Sequence, residues 1–234
     1  MDPKLNRLLH FYRSIGIREI FVPPDLADAL GPGSVRKNSP GRPETLGALQ
    51  QEWAGCTRCN LSENRHLLVF GEGNETADLM FVGEGPGRDE DRLGRPFVGL
   101  AGELLTKIIR AMDLLREEIY ITNVVKCRPP RNRTPFPEEI ETCNPCLRSQ
   151  IRIIRPKIIC ALGLAAAQTL LQSAAPISIL RGRFHSMGEI RVMPTYHPAY
   201  LLRNPSKKKD VWDDMKQIMG ALDLMKKTSP RSSA

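Results

Sequence analysis

From about residue 66 onward the chain alternates short unbroken apolar runs with longer stretches whose apolar positions recur at helical spacing. "HLLVF" (66–70), "ADLMFVG" (77–83), "EIYITNVVK" (118–126), "PKIICALG" (156–163) and "IRVMPTY" (190–196) read as strands. Between them, "AGELLTKIIRAMDLL" (101–115), "PEEIETCNPCLRSQIRII" (137–154) and "LAAAQTLLQ" (164–172) read as helices. "TLGALQQEWAG" (45–55) is a short helix before them. "KKDVWDDMKQIMGALDLMKK" (208–227) closes the pattern, with Val211, Met215, Ile218, Met219 and Leu222 on one face. Alternating strands and helices predict an α/β fold: a three-layer α/β/α sandwich around a central, mostly parallel, four-stranded sheet. Sites in such sheets lie at the carboxyl ends of strands. "GEGPGRDED", "NVVKCRPPRNR" and "YHPAYLLR" all fall there.

The ends of the chain follow a different pattern. Leu5, Leu8, Leu9, Tyr12 and Ile15 predict a helix over 4–15, and "GPGSVRKNSPGRP" (31–43) predicts a flexible linker. The expected organisation is a helical appendage with its linker over 1–43, one catalytic-sized domain over 44–226, and a disordered tail over 227–234.

Charge narrows the partners. Lys and Arg total 34 against 26 acidic residues, a formal net charge of +8 over 234 residues. That excess fits a polyanionic partner such as nucleic acid. No apolar run approaches the ~18 residues of a membrane span, and "MDPKLNRLLHFYR" lacks the apolar core of a signal peptide. The expectation is a cytoplasmic, nucleoid-associated monomer. In a reducing compartment, six cysteines point to metal ligands more than to disulfides.

Two CxxC pairs, Cys56/Cys59 and Cys143/Cys146, suit a tetrahedral zinc site. Cys56, Cys59, Cys127 and Cys143 equally suit an iron–sulfur cluster, whose thiolates can come from distant segments. Cys160, inside "IICAL", reads as a core residue. The glycine-rich turn "GEGPGRDEDRLGRPFVG" (83–99) is a poor phosphate loop, because Glu84, Asp89, Glu90 and Asp91 crowd it. "TYHPAYLLRNPSKKK" combines a proline-fixed histidine, a Leu-Leu pair and a run of cations. Apolar side chains beside cations are how proteins open a duplex. Asn123 ends a strand, and its amide can donate and accept together, as reading a base edge requires.

In combination, "GEGPGRDEDRLGRPFVGLAGELL", "YITNVVKCRPPRNRTPFPEEIETCNPCL" and "TYHPAYLLR" resemble the family 4 uracil-DNA glycosylases, the iron–sulfur branch of their superfamily. The resemblance spans roughly residues 50–222. It implies removal of uracil from single- or double-stranded DNA by hydrolysis of the N-glycosidic bond, leaving an abasic site for base excision repair. It places the backbone of Glu84, Gly85 and Pro86 along the uracil pocket, Phe97 stacked on the base, Asn123 on its polar edge and His197 near O2. Leu201 or Leu202 would fill the vacated duplex, and Arg203 and Lys207 would hold phosphate. Relatives with a "GQDPY" loop carry an aspartate where this chain has Gly85, so water activation falls to Glu84 or Glu90, with Asn132 positioning the water. The resemblance also implies a [4Fe–4S] cluster on Cys56, Cys59, Cys127 and Cys143, the alternative being structural zinc. Two other functions fit parts of the pattern. A single-stranded nucleic-acid-binding module would need neither Asn123 nor His197, and a free uridine-nucleotide hydrolase would not need the Leu-Leu pair.

Overall fold

The computed structural model describes residues 44–228. The expected appendage helix at 4–15, the linker and residues 229–234 lie outside the described residues. Six strands form one sheet in the order β1-β3-β2-β4-β6-β5. They are β1 (Glu72–Gly73), β2 (Leu79–Gly83), β3 (Tyr120–Asn123), β4 (Ile158–Leu162), β5 (His185–Met187) and β6 (Ile190–Thr195). The middle four, β3-β2-β4-β6, are parallel. The edge strands β1 and β5 run antiparallel to their neighbours. The expected parallel core of four strands is therefore present, extended by two short antiparallel edges.

The unbroken apolar runs arise because successive strand side chains point to opposite faces and both faces are covered. Met80 and Val82 of β2, with Ile159 and Ala161 of β4, enter one core. That core is shared with α1 (Leu46–Ala54), α4 (Pro137–Ile154) and α5 (Leu164–Leu171). Leu79, Phe81, Ile158, Cys160 and Leu162 enter the other, against α3 (Leu100–Ala111) and the closing helix. The remaining helices are α2 (Arg88–Leu93), α6 (Ile177–Leu180), α7 (Pro198–Arg203) and the closing helix α8 (Lys208–Thr228).

Two local expectations change. "HLLVF" is not a strand. The Phe70 carbonyl accepts from Thr122 Oγ1 (2.9 Å) and Gln150 Nε2 (2.8 Å), so side chains occupy a group that a ladder would need. The segment's backbone contacts are scattered rather than laddered: Val69 N–H donates to Lys126 O (2.8 Å) and Leu67 N–H to Asp91 O (3.1 Å). The second change is at "RDEDRL", where the acidic stretch expected in a loop forms α2, with Asp89, Glu90 and Asp91 in its first turn and Gly94 closing it at φ 69°.

Candidate active site and cysteine pocket

The carboxyl ends of β2, β3 and β6 open into one cleft of about 720 Å³. Glu84, Gly85 and Pro86 enter from β2, Asn123 from β3 and His197 from the turn after β6. Phe97, from the turn between α2 and α3, completes the inner wall. Glu90, Asn132 and Arg203 also line the cleft.

Glycines set how closely these groups approach. A Cβ on Gly83 would strike Asn123 Oδ1 and the Phe97 ring, so both side chains lie directly over bare backbone. Phe97 itself has φ 53°, a conformation that typically costs a non-glycine residue on the order of 1–3 kcal/mol. It is held there by Arg116, whose Nη1 donates to Phe97 O (3.1 Å) and Nη2 to Pro96 O (2.8 Å). Arg116 Nη2 is in turn paired with Glu72 Oε1 at 2.6 Å. Gly102 lets α3 press against the Phe97 backbone, since a Cβ there would overlap the Phe97 carbonyl.

Asn123 is 1 % exposed. Its Oδ1 is buried without a hydrogen-bond partner among the described residues. An unmet buried acceptor costs roughly 1–3 kcal/mol, which makes it a docking point for a ligand N–H.

His197 caps α7. Its Nδ1 accepts the Ala199 N–H at 3.1 Å, so the neutral ring carries its proton on Nε2. Burial pushes its pKa down to about 4; nearby Glu90 opposes this and Arg203 adds to it. The ring lies 5.5 Å from that of Phe97, centroid to centroid, at a 32° tilt. The turn that presents it is braced from behind, where Thr195 Oγ1 donates to Asp214 Oδ2 (2.6 Å) and Arg181 Nη2 pairs with the same carboxylate (2.9 Å).

The two candidate carboxylates have different surroundings. Burial raises the pKa of Glu84, and no hydrogen bond to its carboxylate is found among the described residues. Glu90 is committed to the backbone: Oε1 accepts from Val98 N–H and Gly99 N–H (2.9 Å each), and Oε2 from Gly87 N–H (3.1 Å). It ties α2 to the Phe97 turn. Asp91, 1 % exposed, likewise holds the 66–67 segment, accepting from His66 N–H at 2.9 Å. Asn132 has φ 57° and accepts from Arg128 Nε through Oδ1 at 2.7 Å.

The Leu-Leu pair is resolved by burial. Leu201 is 1 % exposed and packs in the α3/α8 core, so the expectation that it could enter DNA is corrected. Leu202, 46 % exposed, points outward from the same short helix. Lys207 lies outside the cleft lining and pairs with Asp210 at 3.1 Å.

Across the sheet, Cys56, Cys59, Cys127 and Cys143 line a second, smaller pocket with Arg65 and Lys126. Cys146 does not line it; it is fully buried in the adjoining core, and Cys160 is fully buried in β4. Arg65 Nη1 donates to Cys56 O (2.6 Å) and Cys127 Sγ (3.1 Å). Burial pushes Cys127 and Cys143 up to about 11, so they are thiols until a metal displaces their protons. Among the described residues, no three His, Cys, Asp or Glu side chains stand in position to hold a single metal ion. Four soft donors around a space, with Arg65 and Lys126 beside them, fit a larger thiolate-bound cluster.

Residues given no role from the sequence also shape these sites: Leu100 and Tyr200 line the cleft, and Lys126 lies at the cysteine pocket. Arg128 and Pro129, from "NVVKCRPPRNR", line the cleft too. Gly83 and Gly163 end strands beneath Asn123 and His197. Their signal was a glycine closing an apolar run, which marks a close backbone approach.

The model of the uracil DNA glycosylase superfamily matches residues 70–216. A type-4 uracil-DNA glycosylase of Thermotoga maritima is 48% identical over 170 residues, covering 71% of this chain and 88% of its own. That of Archaeoglobus fulgidus is 42% identical over 183 residues, covering 75% and 92%. A type-5 uracil-DNA glycosylase of Pyrobaculum aerophilum is 31% identical over 154 residues, covering 58% and 67%. The chain belongs to the uracil-DNA glycosylase superfamily and, within it, to the type-4 enzymes.

Proposed function

We propose that this chain flips uracil out of DNA into the cleft and hydrolyses its N-glycosidic bond, leaving an abasic site for base excision repair. The observation that carries this reading is the unpartnered Asn123 Oδ1 beside the Phe97 ring. Uracil N3–H meets that acceptor, while the Asn123 amide N–H donates to O4. Cytosine reverses both complements, presenting a bare N3 and an amine, and leaves buried groups unpaired. Phe97 supplies the stacking face.

As the bond between C1′ and N1 breaks, its electron pair stays with the base and negative charge gathers on O2. The His197 Nε2–H, fixed by the Ala199 contact, stabilises that charge without giving up a proton. Water adds to C1′ and loses its proton to Glu84, whose burial-raised basicity suits it to the task. Glu90 serves as the tie that shapes the loop, and Asn132 helps to position the water. Leu202 fills the gap in the duplex; Arg203 and Lys207 hold phosphates. Cys56, Cys59, Cys127 and Cys143 would hold a [4Fe–4S] cluster in preference to zinc. When bound, that group supplies a thiolate-linked brace between three distant segments. The protein works as a monomer in the cytoplasm, at the nucleoid; among the described residues no helix is long and apolar enough to cross a membrane.

The test is chromatographic detection of free uracil after incubation with a uracil-containing oligonucleotide or with free deoxyuridine monophosphate. Release from DNA alone is expected. Release from the mononucleotide alone would assign a nucleotide hydrolase instead.

A further inference from the structure

A fully buried lysine lies between the cysteine pocket and the base-reading asparagine. Lys126 is 0% exposed, and its Nζ donates to Thr122 Oγ1 (2.6 Å), Asn123 O (2.7 Å) and Gln150 Oε1 (2.7 Å). An ammonium has three protons to donate, so the three acceptors use all of them. The acceptors are themselves anchored. Gln150 Nε2 donates to Phe70 O (2.8 Å), as does Thr122 Oγ1 (2.9 Å).

The contact with Asn123 O has a counterpart on the other end of the same peptide. Val124 N–H donates to Gly83 O at 2.9 Å. The peptide joining Asn123 to Val124 is thus pinned at both polar ends, its carbonyl by Lys126 and its N–H by β2. Fixing that plane limits how the Asn123 side chain can turn over Gly83. No carboxylate pairs with Lys126 among the described residues. Lys126 also lines the pocket that holds Cys127 and Cys143.

We infer that Lys126 is a positioning residue for uracil recognition: its hydrogen bond to the Asn123 carbonyl holds the base-reading amide in register from behind. The inference rests on the glycosylase reading above. Lys126 is not among the residues lining the cleft; its contact with the base-reading group is the hydrogen bond to the Asn123 carbonyl. A buried methionine of similar length keeps the packing and removes all three donors.

The test is a double-mutant cycle of Lys126→Met with Asn123→Ala, read by the single-turnover rate of uracil release and by equilibrium binding of free uracil. Small misplacements of a reactive pair cost up to about 10²-fold, so Lys126→Met should slow release by about 10- to 100-fold. It should weaken free-uracil binding and leave affinity for abasic-site DNA unchanged. In the Asn123→Ala background the same substitution should cost little more, because the group it positions is gone. If Lys126→Met does not fold, Thr122→Val removes one of the three acceptors and should give the same pattern at smaller size. A loss of equal size in both backgrounds, or unchanged uracil binding in the folded variant, overturns the inference. Wild-type protein that neither releases nor binds uracil overturns the glycosylase reading and this inference together. Active wild type with an unaffected Lys126 variant overturns only this inference.

Discussion

The backbone N–H of Ala199 donates to Nδ1 of His197 at 3.1 Å, and this one contact decides what the histidine can do. It spends the ring's acceptor on the start of α7 and leaves Nε2–H as the donor available to the cleft. Burial keeps the ring neutral at physiological pH, with a pKa of about 4. A neutral donor gains most as charge forms on the base, so its effect belongs to the bond-breaking step.

Replacing His197 by alanine should therefore lower the single-turnover rate by about 10²–10³-fold, the usual cost of one such donor, with little change in DNA affinity. Rapid-quench measurement of uracil release, alongside binding of a non-cleavable duplex, separates the two effects.

The same burial makes stability depend on pH in a defined direction. The folded His197 pKa of about 4 lies below the ordinary 6.5. Between those values the unfolded chain binds a proton that the folded chain does not. The stability contribution is complete above pH 6.5 and is lost as pH falls toward 4. Thermal unfolding of wild type should thus decline more steeply over that interval than that of His197→Gln. Glu84 acts in the opposite sense, since its raised pKa penalises the folded state as the carboxylate ionises.

Leu201 and Leu202 should separate cleanly. Leu201→Ala should destabilise the fold by about 2–5 kcal/mol, as truncation of a buried leucine does. Leu202→Ala should leave unfolding unchanged and reduce activity on double-stranded substrate more than on single-stranded. Denaturant titration and paired activity assays distinguish them.

Cys127→Ala should abolish bound iron and the broad absorption near 400 nm (roughly, for thiolate-to-iron charge transfer). Cys146→Ala should preserve both. Colourless wild-type protein carrying one zinc that the Cys146 variant loses would reverse the assignment.

Neutralising Arg203 should reduce the slope of log affinity against log salt by about 0.9 for one lost phosphate contact. Lys207→Ala should change it less, because Asp210 already pairs with that ammonium at 3.1 Å.

The central strands were legible because Leu79–Gly83 and Ile158–Leu162 are apolar throughout, as burial on both faces demands. "HLLVF" carries the same composition, yet its pairing is lost to Thr122 and Gln150 side chains, which no local pattern encodes. Adjacent helical residues point about 100° apart, so "LL" alone could not show which leucine faces solvent. The wall of the cleft was legible as motifs, since glycine, proline and aromatic residues stand at strand ends. Glu90's role was not, because the backbone N–H groups it holds arrive from Val98 and Gly99, after the chain has turned back. Cys143 and Cys146 are one helical turn apart, so CxxC spacing alone could not choose between them; the resemblance selected Cys143, and of the two it is Cys143 that lines the pocket.

Uracil excision is tested most directly by incubating the purified chain with an end-labelled oligonucleotide containing one uracil, followed by alkali and sizing. A single break at the uracil is expected after alkali, none without alkali, and none in a control with thymine at that position. An intact uracil strand after alkali, from both single- and double-stranded substrates, would contradict it.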